Sequence, residues 1–175
     1  EYPPYGYMDD ETGDYTGFDL ELAEAVCEIY GWKLVKTPIN WDAKDTELNS
    51  GAIDCIWNGM TITEELQKNT SISDPYVNNT QVVVTTTENK DLYSDFANLK
   101  VKSGTAAAAI FDQTMANTIL GKGDYADLAV CGVFNEEKYG VAFRKGSDIT
   151  AAFNEAMAEL KKDGTLESLA DKYGL

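Results

Sequence analysis

The sequence predicts an α/β protein, and three observations predict it. Apolar stripes of helical period alternate with short β-branched runs along most of the chain, and turn-forming residues separate them. Of 175 residues, 43% are apolar and 25% charged, an ordinary globular composition. A chain of this length buries roughly 70% of the surface its unfolded form exposes, enough for one good core or two small ones. Because helix and strand alternate, a parallel sheet is expected.

Residues 1–17 are rich in Tyr, Pro, Gly and Asp, and Asp9 to Gly17 reads as a turn between two extended pieces. The clearest helix follows. Asp19 is a good N-cap, Leu20, Ala23, Cys27 and Tyr30 share one face with Leu22, Val26 and Ile29 beside them, and Gly31 falls at the C′ position. Trp32 to Ile39 reads as a strand ended by Pro38, Trp41 to Gly51 as a short helix closed by glycine, and Ala52 to Trp57 as a buried strand. In Thr61-Ile-Thr63-Glu-Glu65, Thr61 or Thr63 can cap a helix whose positive end the two Glu favour.

Val77 to Thr87 is a long β-branched strand, followed after Lys90 by a short polar helix and by a strand at Leu99 to Lys102 that leads into Ser103-Gly104-Thr105. Ala109 to Asp112 looks like another buried strand. Only Thr105 to Ala108 separates the two runs, whereas parallel neighbours need a crossover of a dozen or more residues, so either they are not parallel neighbours or a segment is absent. In the same way Tyr2-Pro-Pro looks like a loop leaving a strand that the chain does not contain. Lys138 to Arg144 reads as a strand and Gly146-Ser147-Asp148 as a cap. Ile149, Phe153, Ala156, Met157 and Leu160 form a helical stripe ended by Gly164, and a last helix runs from Thr165 with Leu166, Leu169 and Tyr173 inward.

Thirty Asp and Glu against fourteen Lys and Arg give a formal charge of −16, which repels phosphate backbones and anionic lipid and argues against nucleic acid and membrane surfaces as partners. The sequence has no His, which removes the usual general base near neutral pH and the commonest metal ligand. Cys27, Cys55 and Cys131 lie far apart and in apolar surroundings, as buried small hydrophobes do. No apolar run is long enough to cross a bilayer and no signal sequence opens the chain, so the expectation is a soluble chain whose export signal has been removed.

Six blocks occur in a fixed order: Tyr2-Pro-Pro-Tyr-Gly-Tyr7, Thr16-Gly-Phe-Asp-Leu20, Ile53-Asp-Cys-Ile-Trp-Asn-Gly-Met-Thr-Ile-Thr63, Ser73-Asp-Pro-Tyr76, Tyr139-Gly-Val-Ala-Phe-Arg-Lys-Gly146 and Asp163-Gly-Thr-Leu166. Together they resemble the polar amino acid-binding proteins of bacterial ABC importers, the family 3 solute-binding proteins. The resemblance implies a two-lobed α/β fold of the type II periplasmic-binding-protein kind. Lobe 1 would comprise residues 1–82 and 138–175. Lobe 2 would comprise 83–137, truncated by the lack of a segment between 105 and 110, with hinges near Asn78 to Val83 and Glu136 to Tyr139. It implies a monomeric, extracytoplasmic, non-enzymatic protein, periplasmic or a cell-surface lipoprotein, which holds an amino acid or related amine-bearing solute in the interlobe cleft and docks on a membrane permease. No metal or other cofactor is implied.

On that mapping, the backbone N–H groups of Gly104, Thr105 and Ala106 would receive an α-carboxylate. Asp112, the Gly59 carbonyl and the Thr61 hydroxyl would accept from the α-ammonium. Tyr2 and Trp41 would wall the ligand side chain, with the Asn58 amide beside them. Plainer readings stand next to these: Gly104-Thr105 as an ordinary helix cap, Asp112 as a turn cap, Trp57 and Trp41 as core aromatics with Trp41 the better ligand candidate, and Tyr2 as a frayed terminus.

One departure bears on the ligand. Where the family's Thr-Ile-Thr-x-x-Arg motif carries a carboxylate-clamping Arg, this chain has Leu66, and its sole Arg, Arg144, maps elsewhere. That favours a cationic or neutral amine, or an amino acid held by the Gly104 to Ala106 helix end alone. The same scaffold leaves open a ligand-sensing domain of a receptor, and a dehydratase-like enzyme, against which the lack of His and of a nucleophile motif argues.

Overall fold

The computed structural model of the chain describes residues 1–92 and 108–175. They divide into two units: Glu1–Val77 with Lys138–Leu175, and Asn78–Glu137. Two strands carry the chain from one unit to the other, β5 (Val77–Thr86) outward and β7 (Leu128–Tyr139) back.

In the first unit, β1 (Tyr7–Met8) and β2 (Tyr15–Thr16) make an antiparallel ribbon in which Tyr7 faces Thr16. The turn between them is the one expected, with the Asp9 carboxylate accepting from the Thr12 and Glu11 N–H groups at 2.7 and 3.0 Å. Helix α1 (Phe18–Tyr30) follows at once. Gly31, with φ 65°, ends it as a left-handed cap whose N–H turns back to the carbonyls of the last turn. At its start the expected N-cap is corrected. Gly17 holds that position at φ 128°, where a Cβ would stand 2.3 Å from the Tyr5 carbonyl oxygen, and Asp19 lies inside the helix. Its carboxyl cannot reach the orphan N–H groups because it points the other way, into the core.

The run from Trp32 to Ile39 lies in no strand, against expectation. Leu34 and Lys36 do turn inward alternately, but the segment is tied by side chains, with Lys36 Nζ reaching the Tyr15 carbonyl at 2.8 Å, and among the described residues no neighbouring strand offers it a ladder. A single 3₁₀ turn at Trp41–Ala43, capped by Asn40 Oδ1 on the Asp42 N–H at 3.0 Å, leads into α2 (Lys44–Ser50), which Gly51 ends at φ 80°. Beyond β3 (Cys55–Ile56), Thr63 caps α3 (Glu64–Asn69), its Oγ1 accepting from the Leu66 N–H at 3.2 Å.

The expected parallel sheet is also corrected. Strand β8 (Ala142–Phe143) is the centre of a three-stranded sheet, with β3 on one side and β4 (Ser71–Ile72) on the other, and both pairings are antiparallel. β8 returns from the second unit instead of following a helix in a βαβ unit, so no crossover sets its direction. Helices α5 (Ile149–Lys162) and α6 (Thr165–Tyr173) pack on each other and on α1. Phe18, Leu22, Tyr139, Val141 and Phe153 form the middle of the core, and a smaller cluster of Leu48, Ile56, Met60 and Ala142 lies in the same unit.

The second unit is built on a sheet in the order β6-β5-β7, where β6 (Ala109–Asp112) runs antiparallel to β5 with Val84 opposite Ala109 and Gln81 opposite Asp112. Ala109 and Ile110 are exposed, Ile110 by 51%, so β6 is not the buried strand its composition suggested. Among the described residues it is the edge of the sheet, paired on one side only. Helix α4 (Gln113–Ile119) covers the sheet through Ala116 against Val82 and Val84. The strand at Leu99 to Lys102, the helix start at Ser103-Gly104-Thr105 and all but the opening of the polar helix after Lys90 fall outside the described residues. No helix among the described residues is long and apolar enough to cross a membrane. The three cysteines form no disulfide with one another and are half-buried rather than fully buried, and burial pushes the Cys55 thiol up to about 12, so it behaves as an apolar side chain.

Phe153 touches Trp57 and Phe143 with ring centroids at 5.0 and 5.4 Å and is almost fully buried. Phe153→Ala is expected to lower the unfolding free energy by about 3–5 kcal/mol in urea titration monitored by circular dichroism.

Candidate functional site

Within the first unit, Tyr2, Asn58, Gly59 and Thr61 meet around one loop. Gly59 has φ 56°, and a Cβ on it would stand 2.4 Å from Cε1 of Tyr2, so the phenol ring lies flat against the loop backbone and only glycine fits. Tyr2 is held rather than frayed. Its ring stacks on Tyr5 at 5.2 Å, its hydroxyl lies 2.9 Å from that of Tyr139, and its N–H donates to the Gly6 carbonyl at 2.8 Å. Asn58 Nδ2 donates to the same Gly6 carbonyl at 3.2 Å, so this amide braces the N-terminal turn. Thr61 bridges to Tyr139, the Met60 carbonyl accepts from the Gly140 N–H at 3.0 Å, and the Ile62 N–H donates to the Lys138 carbonyl at 2.8 Å. The loop is thus pinned from both ends of the chain. Trp41 does not belong to this hydrogen-bonded group. It sits on the 3₁₀ turn, 45% exposed, with Lys44 Nζ 5.5 Å from its ring centre.

Beneath the loop is a residue that sequence reasoning placed in another role. Asp19 is fully enclosed, and its Oδ2 accepts from the Gly59 N–H at 2.7 Å and from the Tyr76 hydroxyl at 2.8 Å. Burial drives its carboxyl up to about 6, while Gly59, Tyr76 and the Trp57 indole N–H pull it partly back. The same enclosure and the Asp19 charge raise the Tyr76 hydroxyl well above the ordinary phenol range. The signal was available. Asp19, Leu22, Ala23 and Val26 are spaced i, i+3, i+4, i+7, so the carboxylate falls on the buried stripe of α1 and not on its solvent face.

In the second unit Asp112 ends β6 at the N-cap position of α4, yet its side chain makes no cap. Its Oδ1 accepts from Asn79 Nδ2 at 2.6 Å, and the same nitrogen donates to Glu137 Oε1 at 2.7 Å. Asn79 is 3% exposed, so one buried amide ties a carboxylate on β6 to one on β7. Gly104, Thr105 and Ala106 lie outside the described residues. Among the described residues no group of three or more carboxylates or thiols is arranged to hold a metal ion.

The position of Leu66 is chemically informative. Its side chain packs on the Leu48, Ile56, Met60 and Ala142 cluster. Arg144 donates to the carbonyls of Ile53 and Leu48 at 2.6 and 3.4 Å and to Asp54 at 2.9 Å, so the chain's sole guanidinium is engaged at the end of α2.

Two α/β units exchange the chain through a pair of strands, and one of them carries a pinned glycine loop, an arrangement that invites comparison with proteins of known class. The family model for bacterial extracellular solute-binding proteins, family 3, matches residues 1–175, and the chain belongs to that family. It is 29% identical to the L-cystine-binding protein TcyJ of Escherichia coli (strain K12) over 211 residues, covering 98% of this chain and 79% of that one. Since the aligned span exceeds the 175 residues of this chain, the relative carries internal residues that this chain lacks. An ancestral arginine-binding protein solved with arginine superposes with TM-score 0.81 at 30% identity, covering 98% of this chain and 93% of its own. The ancestral amino acid-binding protein AncCDT-1, described as a precursor of cyclohexadienyl dehydratase, gives 0.83 at 28%, covering 99% and 91%. The fold is therefore that of the type II periplasmic binding proteins.

Because the Asp19 carboxyl is raised in the folded state, its contribution to stability is complete below about pH 4, the unfolded value, and is lost as the pH rises through about 6. Melting curves of wild type and Asp19→Asn between pH 4 and 8 are expected to show this as a component of up to about 3 kcal/mol that the variant lacks. Gly59→Ala, which drives a methyl into the Tyr2 ring and forces φ 56° on alanine, is expected to lower stability by about 2 kcal/mol or more in the same assay.

Proposed function

We propose that this chain is the substrate-binding component of an ABC importer, working outside the cytoplasm and delivering an amine-bearing solute, an amino acid or a related amine, to a membrane permease. The single observation that carries the amine preference is the fate of the guanidinium. Arg144 is engaged with Asp54 and two carbonyls, and the position where the family clamps a carboxylate holds Leu66, packed in an apolar cluster. On this reading a carboxylate would be met by neutral donors such as backbone N–H groups and not by this guanidinium, whereas the Gly59 carbonyl, the Thr61 hydroxyl and Asp112 offer acceptors to an ammonium.

The residues proposed for the task are Tyr2, Trp41, Asn58, Gly59 and Thr61 in the first unit, and Asp112 with the N–H groups of Gly104, Thr105 and Ala106 in the second. The ring of Tyr2 supplies an apolar and cation-attracting wall, and the Gly59 carbonyl and Thr61 hydroxyl supply acceptors. The relatives support the class of solute, being named for L-cystine and for arginine. A dehydratase-like role has less support. An acid catalyst must face its substrate, and the carboxyl with a raised proton affinity, Asp19, is fully enclosed and held by two donors.

Isothermal calorimetry with L-arginine, L-lysine, L-histidine and L-cystine, set against agmatine, cadaverine and histamine, tests the reading. The amines are expected to bind within about tenfold of their parent amino acids, because no charge-assisted pair is lost with the carboxylate. A nanomolar fit to one free amino acid with no response to its amine would refute the amine preference.

A further inference from the structure

Asp19 is a buried carboxylate with no cation beside it among the described residues, on a helix face where an apolar side chain would pack at lower cost. Its contacts are specific. Its own N–H donates to the Tyr5 carbonyl at 2.9 Å, its Oδ2 accepts from the Gly59 N–H at 2.7 Å, the Tyr2 ring lies on Gly59, and Tyr2 stacks on Tyr5. These four contacts close a ring around the Gly59 peptide. The next residue is pinned as well, through the Met60 carbonyl and the Gly140 N–H. Among the described residues no N–H or O–H group donates to the Gly59 carbonyl itself.

We propose that Asp19 is a positioning residue of the binding site, fixing the Gly59 peptide in the orientation in which its carbonyl receives the ligand's amino group. The inference rests on the assignment of Gly59 to the ligand in the preceding section. The groups facing the carboxyl are the Tyr76 hydroxyl and the Trp57 indole on the first unit's loops, with the Tyr5 backbone at the foot of α1. Oδ2 holds the Gly59 and Tyr76 donors, while the Trp57 indole N–H faces the carboxyl without closing a hydrogen bond on the buried Oδ1, so a proton taken up by the group settles on Oδ1 and Oδ2 keeps its two donors. Titration then weakens the Gly59 bond from a charge-assisted to a neutral one without breaking it.

The test uses the ¹⁵N-labelled whole chain. The Gly59 amide resonance is expected to move between pH 5 and 8 with one midpoint near 6, and to stay still in Asp19→Asn. Tyr76→Phe removes a donor that favours the ionised form and is expected to raise that midpoint. In parallel, calorimetry with L-arginine as probe is expected to show Asp19→Leu at least about tenfold weaker, since the Gly59 N–H is left without its buried acceptor, and Asp19→Asn within about threefold. A Gly59 resonance that ignores pH, or an Asp19→Leu chain that binds L-arginine like wild type, overturns the proposal. If Asp19→Leu does not fold, an unmoved midpoint in Tyr76→Phe overturns it instead. A wild-type chain that binds none of L-arginine, L-histidine and L-cystine, while its Gly59 resonance still follows Asp19, overturns the ligand assignment and the role with it, leaving a structural contact.

Discussion

A carboxylate in the middle of an aromatic core organises this molecule. Asp19 brings three stretches far apart in sequence to one oxygen: the first turn of α1, the Gly59 loop, and the Tyr76 segment ahead of β5. Enclosing a charge of this kind costs several kcal/mol unless donors are supplied, and the surrounding fold supplies them with two short hydrogen bonds to Oδ2. The rings above it form the complementary half. Tyr2 on Tyr5 and Tyr5 against Phe18 and Tyr139 exclude water from the carboxyl and give the charge-assisted bonds their strength. Gly17 and Gly59 belong to the same construction, since both stand where a methyl group would strike the neighbouring chain.

The proposed preference for an amine turns on where Arg144 is spent. The guanidinium closes the C-terminal end of α2 by taking the Leu48 and Ile53 carbonyls, and Asp54 neutralises it at the surface. Leu66 meanwhile adds apolar area to the small core beneath α3. Packing is thus kept where a charged clamp would have required a carboxylate to complete it, and on the proposed reading recognition would rest on donors of the ligand and acceptors of the protein.

Local chemistry was the most legible part of the sequence. Gly31 and Gly51 end their helices as left-handed caps, Thr63 caps α3, and β5 follows its β-branched run, because each depends on residues within one turn of itself. What failed depends on distant partners. Asp19 resembles an N-cap until the Gly59 N–H arrives from forty residues away to claim its oxygen. Among the described residues, residues 32–39 have a strand's alternation but no neighbour to pair with and Ile110 is apolar yet lies on a sheet edge, while the antiparallel sheet arises because β8 comes back from the other unit. In the candidate site, glycine and aromatic positions could be picked out singly, but that Tyr2 covers Gly59 and that Asn58 braces Gly6 are facts of packing. Family membership was readable because six weak blocks kept their order.

The want of histidine in this chain has an experimental benefit. No imidazole titrates in this chain to overlap the Asp19 carboxyl, which burial drives up to about 6. Heats of solute uptake measured in buffers of different ionisation enthalpy, compared between wild type and Asp19→Asn, would then isolate the proton exchange at one enclosed carboxyl, an intrinsic gauge of the loop that carries no added label.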